Sequence, residues 1–330
     1  MMKKETILSG MRPTGALHLG NYFGALENWV KLQNEYNCYF FIADWHALTT
    51  GYEDTSQMKN NIDEIIIDWL SAGLDPEKCT MFIQSKILEH AELHLLFSMS
   101  TPLSWLYRCP TYKDQIAQMK DKNITTYGFL GYPCLQAADI LMYKADFVPV
   151  GEDQVPHIEF TREIARRFNH LYNTEVFPEP KPKLTKAKVL AGTDGRKMSK
   201  SYNNTIALSD DSETIRKKVQ TMITDPEKIR KNDPGHPDIC NVFSYHKIFN
   251  EHELPEIKKD CIAGNLGCVQ CKNNLTDKIN NYMMPIQEKR NELLKRPGIA
   301  REVIEAGTEK AKEKAKETLE EVRKAMKIDW

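Results

Sequence analysis

Along the first half of the chain, short apolar runs alternate with amphipathic stretches. Glu5 to Ser9 reads as a strand, and Leu19 to Glu35 carries Phe23, Leu26 and Val30 at helical spacing. Cys38 to Asp44 and the CTMFIQS run opening at Cys79 have the unbroken apolar character of strands buried on both faces. Between them a helix begins near Gln57 and ends at Gly73 and the Asp75-Pro76 pair. This alternation predicts an α/β fold whose parallel sheet is covered by helices on both sides.

From Glu89 to Lys122 the pattern is helical with no strand, which predicts a helical insertion over about 89–127 between two parts of the sheet. A helix near Pro133 to Lys144, a strand at Phe147 to Val150 and a helix with Ile158, Ile164, Ala165 and Phe168 on one face complete the unit. Pro178, Pro180 and Pro182 mark a change of composition, and from about Ser209 every segment is helical by pattern. We therefore expect a catalytic unit over 1–208 and an all-helical C-terminal domain over 209–330. The last helix, about Ile299 to Met326, sets Ala311, Ala315, Leu319, Val322 and Met326 three or four apart, and its lysines and glutamates form a solvated face. No internal repeat is present.

Length agrees with two units, because single cores stop growing near about 250–300 residues and this chain has 330. Aliphatic and aromatic residues at 41% and charged residues at 28% exclude a disordered or fibrous class. No segment reads as a signal peptide or a bilayer span, which makes the expected location cytoplasmic. A net charge of −1 confines any nucleic-acid site to a local patch, and composition alone points to a small-molecule enzyme.

Two segments carry phosphate chemistry. Ser9 to Asn21, SGMRPTGALHLGN, sits where the first strand meets a helix amino terminus, and Gly10, Gly15 and Gly20 let backbone approach an anion there. It is neither a GxxxxGK[ST] loop nor a GxGxxG fingerprint, and alone it reads equally as a tight turn. Lys197-Met198-Ser199-Lys200-Ser201 follows a polar approach, Gly192 to Arg196, in a loop over 192–204 that we expect to be mobile. Two ammonium groups and two hydroxyls within five residues suit a triphosphate; alone, they read rather as a solvated basic loop.

Taken together, HLGN at His18 to Asn21 resembles the HIGH motif of class I aminoacyl-tRNA synthetases, and KMSKS at Lys197 to Ser201 matches that family's second motif letter for letter. The resemblance implies a Rossmann-like catalytic domain and an anticodon-binding helical domain. It also implies activation of an amino acid with ATP and Mg2+, then transfer to the terminal adenosine of a tRNA. It assigns His18 and Asn21 to the phosphates and ribose, and Lys197 and Lys200 to the in-line transition state. The same resemblance places Gly10, Arg12, Pro13, Thr14, Gly20, Val189, Met198, Ser199 and Ser201 around ATP. Gly151-Glu152-Asp153-Gln154 is similar to the GEDQ element beside ATP and the amino acid in the tryptophan and tyrosine branches; alone, Asp153 there reads as a helix cap.

Tyr132, Gln136 and Asp139 lie at i, i+4 and i+7 and share one helix face, a polar stripe on an apolar helix. Such groups either pair with one another or await a ligand. In the tryptophan branch the residue matching Asp139 accepts the indole N–H, while those matching Tyr132 and Gln154 hold the α-amino group. His46 and Leu8 are expected to line the same pocket. The resemblance covers the whole chain and favours L-tryptophan and tRNA(Trp), with a homodimer as in that family. A tyrosine-specific enzyme carries a similar stripe and is the nearest alternative, followed by a catalytically silent tRNA-binding paralogue and a nucleotidyltransferase. Leu8, Arg12 and Gln136 depart from the commonest bacterial pattern and match a second bacterial branch.

Cys240, Cys261, Cys268 and Cys271 are separated by twenty, six and two residues. A four-cysteine set ending in CxxC signals a metal site, and its spacing serves zinc and an iron–sulfur cluster alike. The second branch includes members with a [4Fe–4S] cluster in the anticodon-binding domain, so a cluster is the expectation, with zinc as the alternative. Cys38, Cys79, Cys109 and Cys134 lie in apolar stretches and read as packing residues.

Overall fold

The computed structural model describes residues 4–109, 112, 124–184 and 190–330. Val189, most of the stretch 110–123 and the side chain of Ser201 lie outside the described residues. Among the described residues, β1 (Thr6–Met11), β2 (Asn37–Ile42), β3 (Cys79–Ile83), β4 (Phe147–Val150) and β5 (Lys181–Leu184) form one parallel sheet in the order β3-β2-β1-β4-β5. Strand side chains alternate between two apolar layers. Ile7, Phe40 and Met81 enter one; Leu8, Phe41 and Phe82 enter the other. The chain builds outward from β1 to β3 on one side and then crosses to β4 on the other. The carboxyl ends of β1 and β4 therefore diverge, and the connections leaving them part to open a crevice.

Around this sheet the predicted Rossmann-like α/β unit is present, with three local differences. The helix read across Leu19 to Glu35 is divided into α1 (Leu19–Asn21), a π-helical turn (Tyr22–Leu26) and α2 (Glu27–Leu32). After α3 (Asp44–Gly51), α4 (Met58–Ser71), α5 (Glu89–Ser100) and α6 (Leu103–Arg108), α7 runs Tyr127–Met142 and begins before Pro133. Thr126 starts it by accepting the Phe129 N–H at 3.2 Å, and Pro133 is carried inside the helix. The proline-rich stretch contains β5, because an edge strand tolerates a residue without a donor such as Pro182.

Beyond α8 (Val155–Leu171) and β5 the tail is helical, as expected: α9 (Ser212–Gln220), α10 (Asn241–Phe249), α11 (Leu254–Ile262), α12 (Cys268–Leu294) and α13 (Ile299–Met326). Of the two long tail helices, α12 packs against α9, α10 and α4, and α13 packs against the sheet unit. Leu275, Ile279, Met283 and Ile286 of α12 join the layer of Ile7 and Phe40. The last helix, α13, begins in that same layer through Val303 and Ile304, crosses the outer edge of β3, and ends in the opposite layer through Ala311, Ala315, Leu319 and Val322. It thereby covers an edge whose unpaired backbone would otherwise be open to another strand. The crossing is at Gly307, where a Cβ would fall 1.9 Å from the Met81 carbonyl oxygen. Among the described residues no helix is long and apolar enough to cross a membrane.

Gly307→Ala is expected to destabilise the protein by about 1–3 kcal/mol, the usual range for overpacking, because helix and strand backbones must separate. Gly128→Ala, where an added methyl meets nothing within 4 Å, is the control and is expected to be neutral or slightly stabilising. Urea midpoints of the two variants measure the difference.

Candidate active site

The phosphate turn and the KMSKS loop, far apart in sequence, pair with each other. Leu19 donates its N–H to the Ile206 carbonyl at 2.9 Å, Leu208 donates to the Leu17 carbonyl at 2.8 Å, and His18 and Ala207 form an antiparallel bridge. Gly20 donates its N–H to the Met198 sulfur at 3.3 Å, and the Met198 side chain is buried. Lys200 lies over Gly15, whose φ of +114° and lack of a side chain leave room for the lysine; a Cβ there would be 3.0 Å from Nζ.

At the junction, His18 and Asn21 form a reciprocal cap. The His18 Nδ1 accepts the Asn21 N–H at 3.3 Å, and the Asn21 side-chain oxygen accepts the His18 N–H at 3.1 Å. Both acceptor atoms are thus used on backbone, which leaves imidazole Nε2–H and the Asn21 amide N–H groups to meet an anion. Burial first, then the nearby Lys200, lowers the His18 pKa to about 4, so the ring is a neutral donor near pH 7. Burial lowers the Lys200 pKa to about 8, against an opposing pull from Asp68. Lys197 is exposed, and its backbone carbonyl accepts from Asn204 at 3.1 Å. Asn204 organises the loop: it also donates to Asp194 at 2.7 Å and accepts the Ser199 N–H at 2.8 Å.

Beside this junction a cavity of about 410 Å³ opens at the carboxyl ends of β1 and β4. Its walls include Leu8, Gly10, Arg12, His46, Tyr132, Gln136, Asp139, Gly151 and Gln154, so the structure brings together the residues expected to hold the amino acid. Pro13 and Thr14 lie on the turn that leads from this wall to Gly15, and Thr14 donates its N–H to the Arg12 carbonyl. Glu152 and Asp153 are exposed on a single 3-10 turn that leads into α8. Gln154 donates to Asp153 at 2.9 Å.

The floor of the cavity is a fully buried carboxylate. Asp139 accepts both oxygens' worth of bonds: Gln84 Nε2 at 2.9 and 2.8 Å, His90 Nδ1 at 2.6 Å and His46 Nε2 at 2.9 Å. His90 in turn bonds the Tyr143 hydroxyl at 2.8 Å. Burial would raise the Asp139 pKa, but the bonds and charges of His46 and His90 outweigh it and hold it at about 2. Gln84, His90 and His157 were not evident as site residues from sequence. His157, buried, approaches the Tyr132 hydroxyl at 3.3 Å, and its one signal was its place three residues after Gln154. Gln84 stands at the end of β3, where loop residues of a parallel sheet face the ligand, and that rule would have found it.

Residues 2–283 match the profile of the tRNA synthetases class I (W and Y). The chain belongs to this family of class I tRNA synthetases. A tryptophan–tRNA ligase of Aquifex aeolicus is 49% identical to it over 98% of this chain and 99% of its own length. One from Thermotoga maritima is 51% identical over the same shares. The tryptophanyl-tRNA synthetase of Campylobacter jejuni, solved in complex with ADP and tryptophan, superposes with a TM-score of 0.88 at 35% identity, covering 98% of this chain and 99% of that one.

In this synthetase fold the four tail cysteines lie near one another. Cys240 precedes α10, Cys261 is in the last turn of α11, and Cys268 and Cys271 open α12. Burial, with Cys240, Cys261 and Cys268 adding to it, pushes the Cys271 thiol up to about 12. All four thiols therefore share one electrostatic neighbourhood. Among the described residues, however, no three His, Cys, Asp or Glu side chains are drawn close enough to share a single ion. The donor set is chemically suited to thiolate-bound metal.

Because the folded Asp139 titrates near 2 and an unfolded aspartate near 4, the stabilisation from its charge is complete above about pH 4 and is lost as pH falls toward 2. It amounts to about 2 kcal/mol at neutral pH. Urea titrations should therefore show the stability gap between wild type and Asp139→Asn narrowing by that amount between about pH 4 and 2 and constant above it.

Proposed function

We propose that this chain activates L-tryptophan with ATP and transfers it to tRNA(Trp). The observation that carries the reading is the pairing of HLGN with the segment after KMSKS, on the turn that leaves β1, the strand that also walls a cavity floored by a buried, ionised aspartate. The tryptophan carboxylate attacks the α-phosphorus in line; a C–O–P bond forms, and the electron pair of the broken P–O bond leaves on pyrophosphate. The acid substrate is its own nucleophile, so the site needs positioning and charge stabilisation and no side-chain base. His18 Nε2–H and the Asn21 amide donate to the phosphates, Lys200 neutralises charge that develops as pyrophosphate departs, and Lys197 joins it from the exposed side of the loop. ATP brings Mg2+ with it. In the second step a hydroxyl of the terminal adenosine attacks the activated carbonyl and releases AMP.

Tryptophan is favoured by the floor. An indole N–H needs one acceptor, and Asp139 presents an ionised one. His46 is the partner that yields: it is 12% exposed and borders the cavity, while His90 is fully buried. A site built around such an acceptor rejects analogues lacking the donor by about 10⁴ in favourable cases. The helical tail over 209–330 is assigned to the anticodon. We also assign to it a [4Fe–4S] cluster on Cys240, Cys261, Cys268 and Cys271, with zinc as the alternative, because a four-cysteine set ending in CxxC is a donor set that such a cluster takes. That group would be structural, fixing the start of α12. The reading includes a cytoplasmic homodimer, supported by the exposed Leu88, Leu95, Met99, Leu103, Tyr107 and Tyr127 of the insertion.

The deciding experiment is pyrophosphate–ATP exchange with each of the twenty amino acids; tryptophan is expected to support it, and tyrosine in its place would overturn the assignment. Lys200→Ala should lower single-turnover adenylate formation by about 10²–10³-fold while leaving tryptophan affinity intact. Anaerobically purified protein should be brown and contain iron and sulfide in equal amounts, and zinc alone would reject the cluster.

A further inference from the structure

Asp68 is completely buried in α4, a helix that carries neither signature motif. Its two oxygens bind in different directions. Oδ2 accepts the Leu17 backbone N–H at 3.0 Å, one residue before His18. Oδ1 accepts Arg290 Nε at 3.0 Å, from near the end of α12. Arg290 is 12% exposed and also reaches Glu64, one turn earlier in α4. The pair therefore joins a tail helix to the backbone of the phosphate turn.

Stability alone is a poor reason for this arrangement. The surroundings are apolar, with Leu17, Ile65, Ile286 and Leu293 in the same buried layer. Replacing a buried ion pair by apolar side chains of similar volume is often neutral or stabilising. What apolar side chains lack is an acceptor for the Leu17 N–H. The Leu17 peptide is held on both sides, since its carbonyl accepts Leu208 N–H from the segment after KMSKS. Asp68 thus fixes the residue from which both motifs are hung, and its charge also acts on Lys200.

The same face of α12 touches the site twice more. Tyr282 donates its hydroxyl to Tyr22 at 3.3 Å, just past HLGN. Gln287 donates to the Asp210 carbonyl at 2.7 Å, and Asp210 accepts the Ala207 N–H at 2.7 Å, just past KMSKS. Tyr282, Gln287 and, through Asp68, Arg290 thus reach both sides of HLGN and the segment after KMSKS. Cys268 opens the same helix 22 residues before Arg290, about 33 Å away along its axis.

We propose that Asp68 and Arg290 are a positioning pair for the adenylation step, through which α12 holds the Leu17 peptide, and with it His18 and Lys200, in the geometry that departing pyrophosphate requires. This rests on the function proposed above. Neither side chain touches substrate; both act through the backbone. Misplacement by about 1 Å of groups that stabilise a transition state lowers rate far more than ground-state binding.

The test is made on the whole 330-residue chain by tryptophan-dependent pyrophosphate exchange and thermal melting of Arg290→Met, Arg290→Lys and the double variant Asp68→Asn/Arg290→Met. The double variant keeps an acceptor for Leu17 and leaves no buried charge unpaired, since Glu64, the other carboxylate that Arg290 reaches, is 43% exposed. Arg290→Met is expected to lower kcat by about tenfold or more with the KM for tryptophan within about twofold of wild type, and Arg290→Lys to fall between. The double variant should recover the melting temperature while kcat stays low. A kcat that returns together with the melting temperature, or a folded Arg290→Met with wild-type kcat, would overturn the proposal. Should Arg290→Met fail to fold, the double variant decides in the same way. Failure of the underlying functional reading is separately visible, because the unaltered chain would then show no tryptophan-dependent exchange.

Discussion

The site depends on one short backbone contact, the antiparallel bridge between His18 and Ala207 with its flanking bonds from Leu19 to Ile206 and from Leu208 to Leu17. Without it the turn after β1 would present helix-end donors to solvent, and the lysine loop would be a charged excursion from the surface. With it, a cap whose acceptors are engaged on backbone lies within the electrostatic reach of the Lys200 ammonium group. Burial of Met198 against Gly20 and the network of Asn204 hold the loop side of that contact. The sheet holds the other side, because the turn is continuous with the central strand β1.

A second constraint works at the cavity floor. A carboxylate with almost no exposure is tolerable only if it is thoroughly bonded, and Asp139 has donors from three residues on three different segments. That number makes its position insensitive to any one of them. It also means that the acceptor facing the cavity is satisfied within the fold, with His46 as its most exposed partner.

Much of this was legible in the chain. The strand and helix alternation, the phosphate turn, the lysine loop and the Tyr132, Gln136 and Asp139 stripe all depend on residues close in sequence, whose periodicity or chemistry is read directly. The misplaced start of α7 and the missed β5 have one origin. In the sequence proline reads as punctuation, whereas Pro133 is carried within a helix already capped by Thr126 and Pro182 lies on an edge strand. The π-helical turn at Tyr22–Leu26 had no local signal at all; the segment packs against Phe249 and Tyr282 from the tail.

By itself, then, the sequence determined the fold class, the two motifs and the candidate pocket face, because each is encoded by spacing within a few turns of chain. Only the tertiary structure decided which partners those residues meet. That Gln84 and His90 brace Asp139, that α13 crosses the edge of β3 at Gly307, and that Arg290 reaches Asp68 beneath the phosphate turn are contacts across 49 to more than 200 residues. Such contacts are set by how layers pack, and packing is a property of surfaces that exist only once the helices and strands have been brought together.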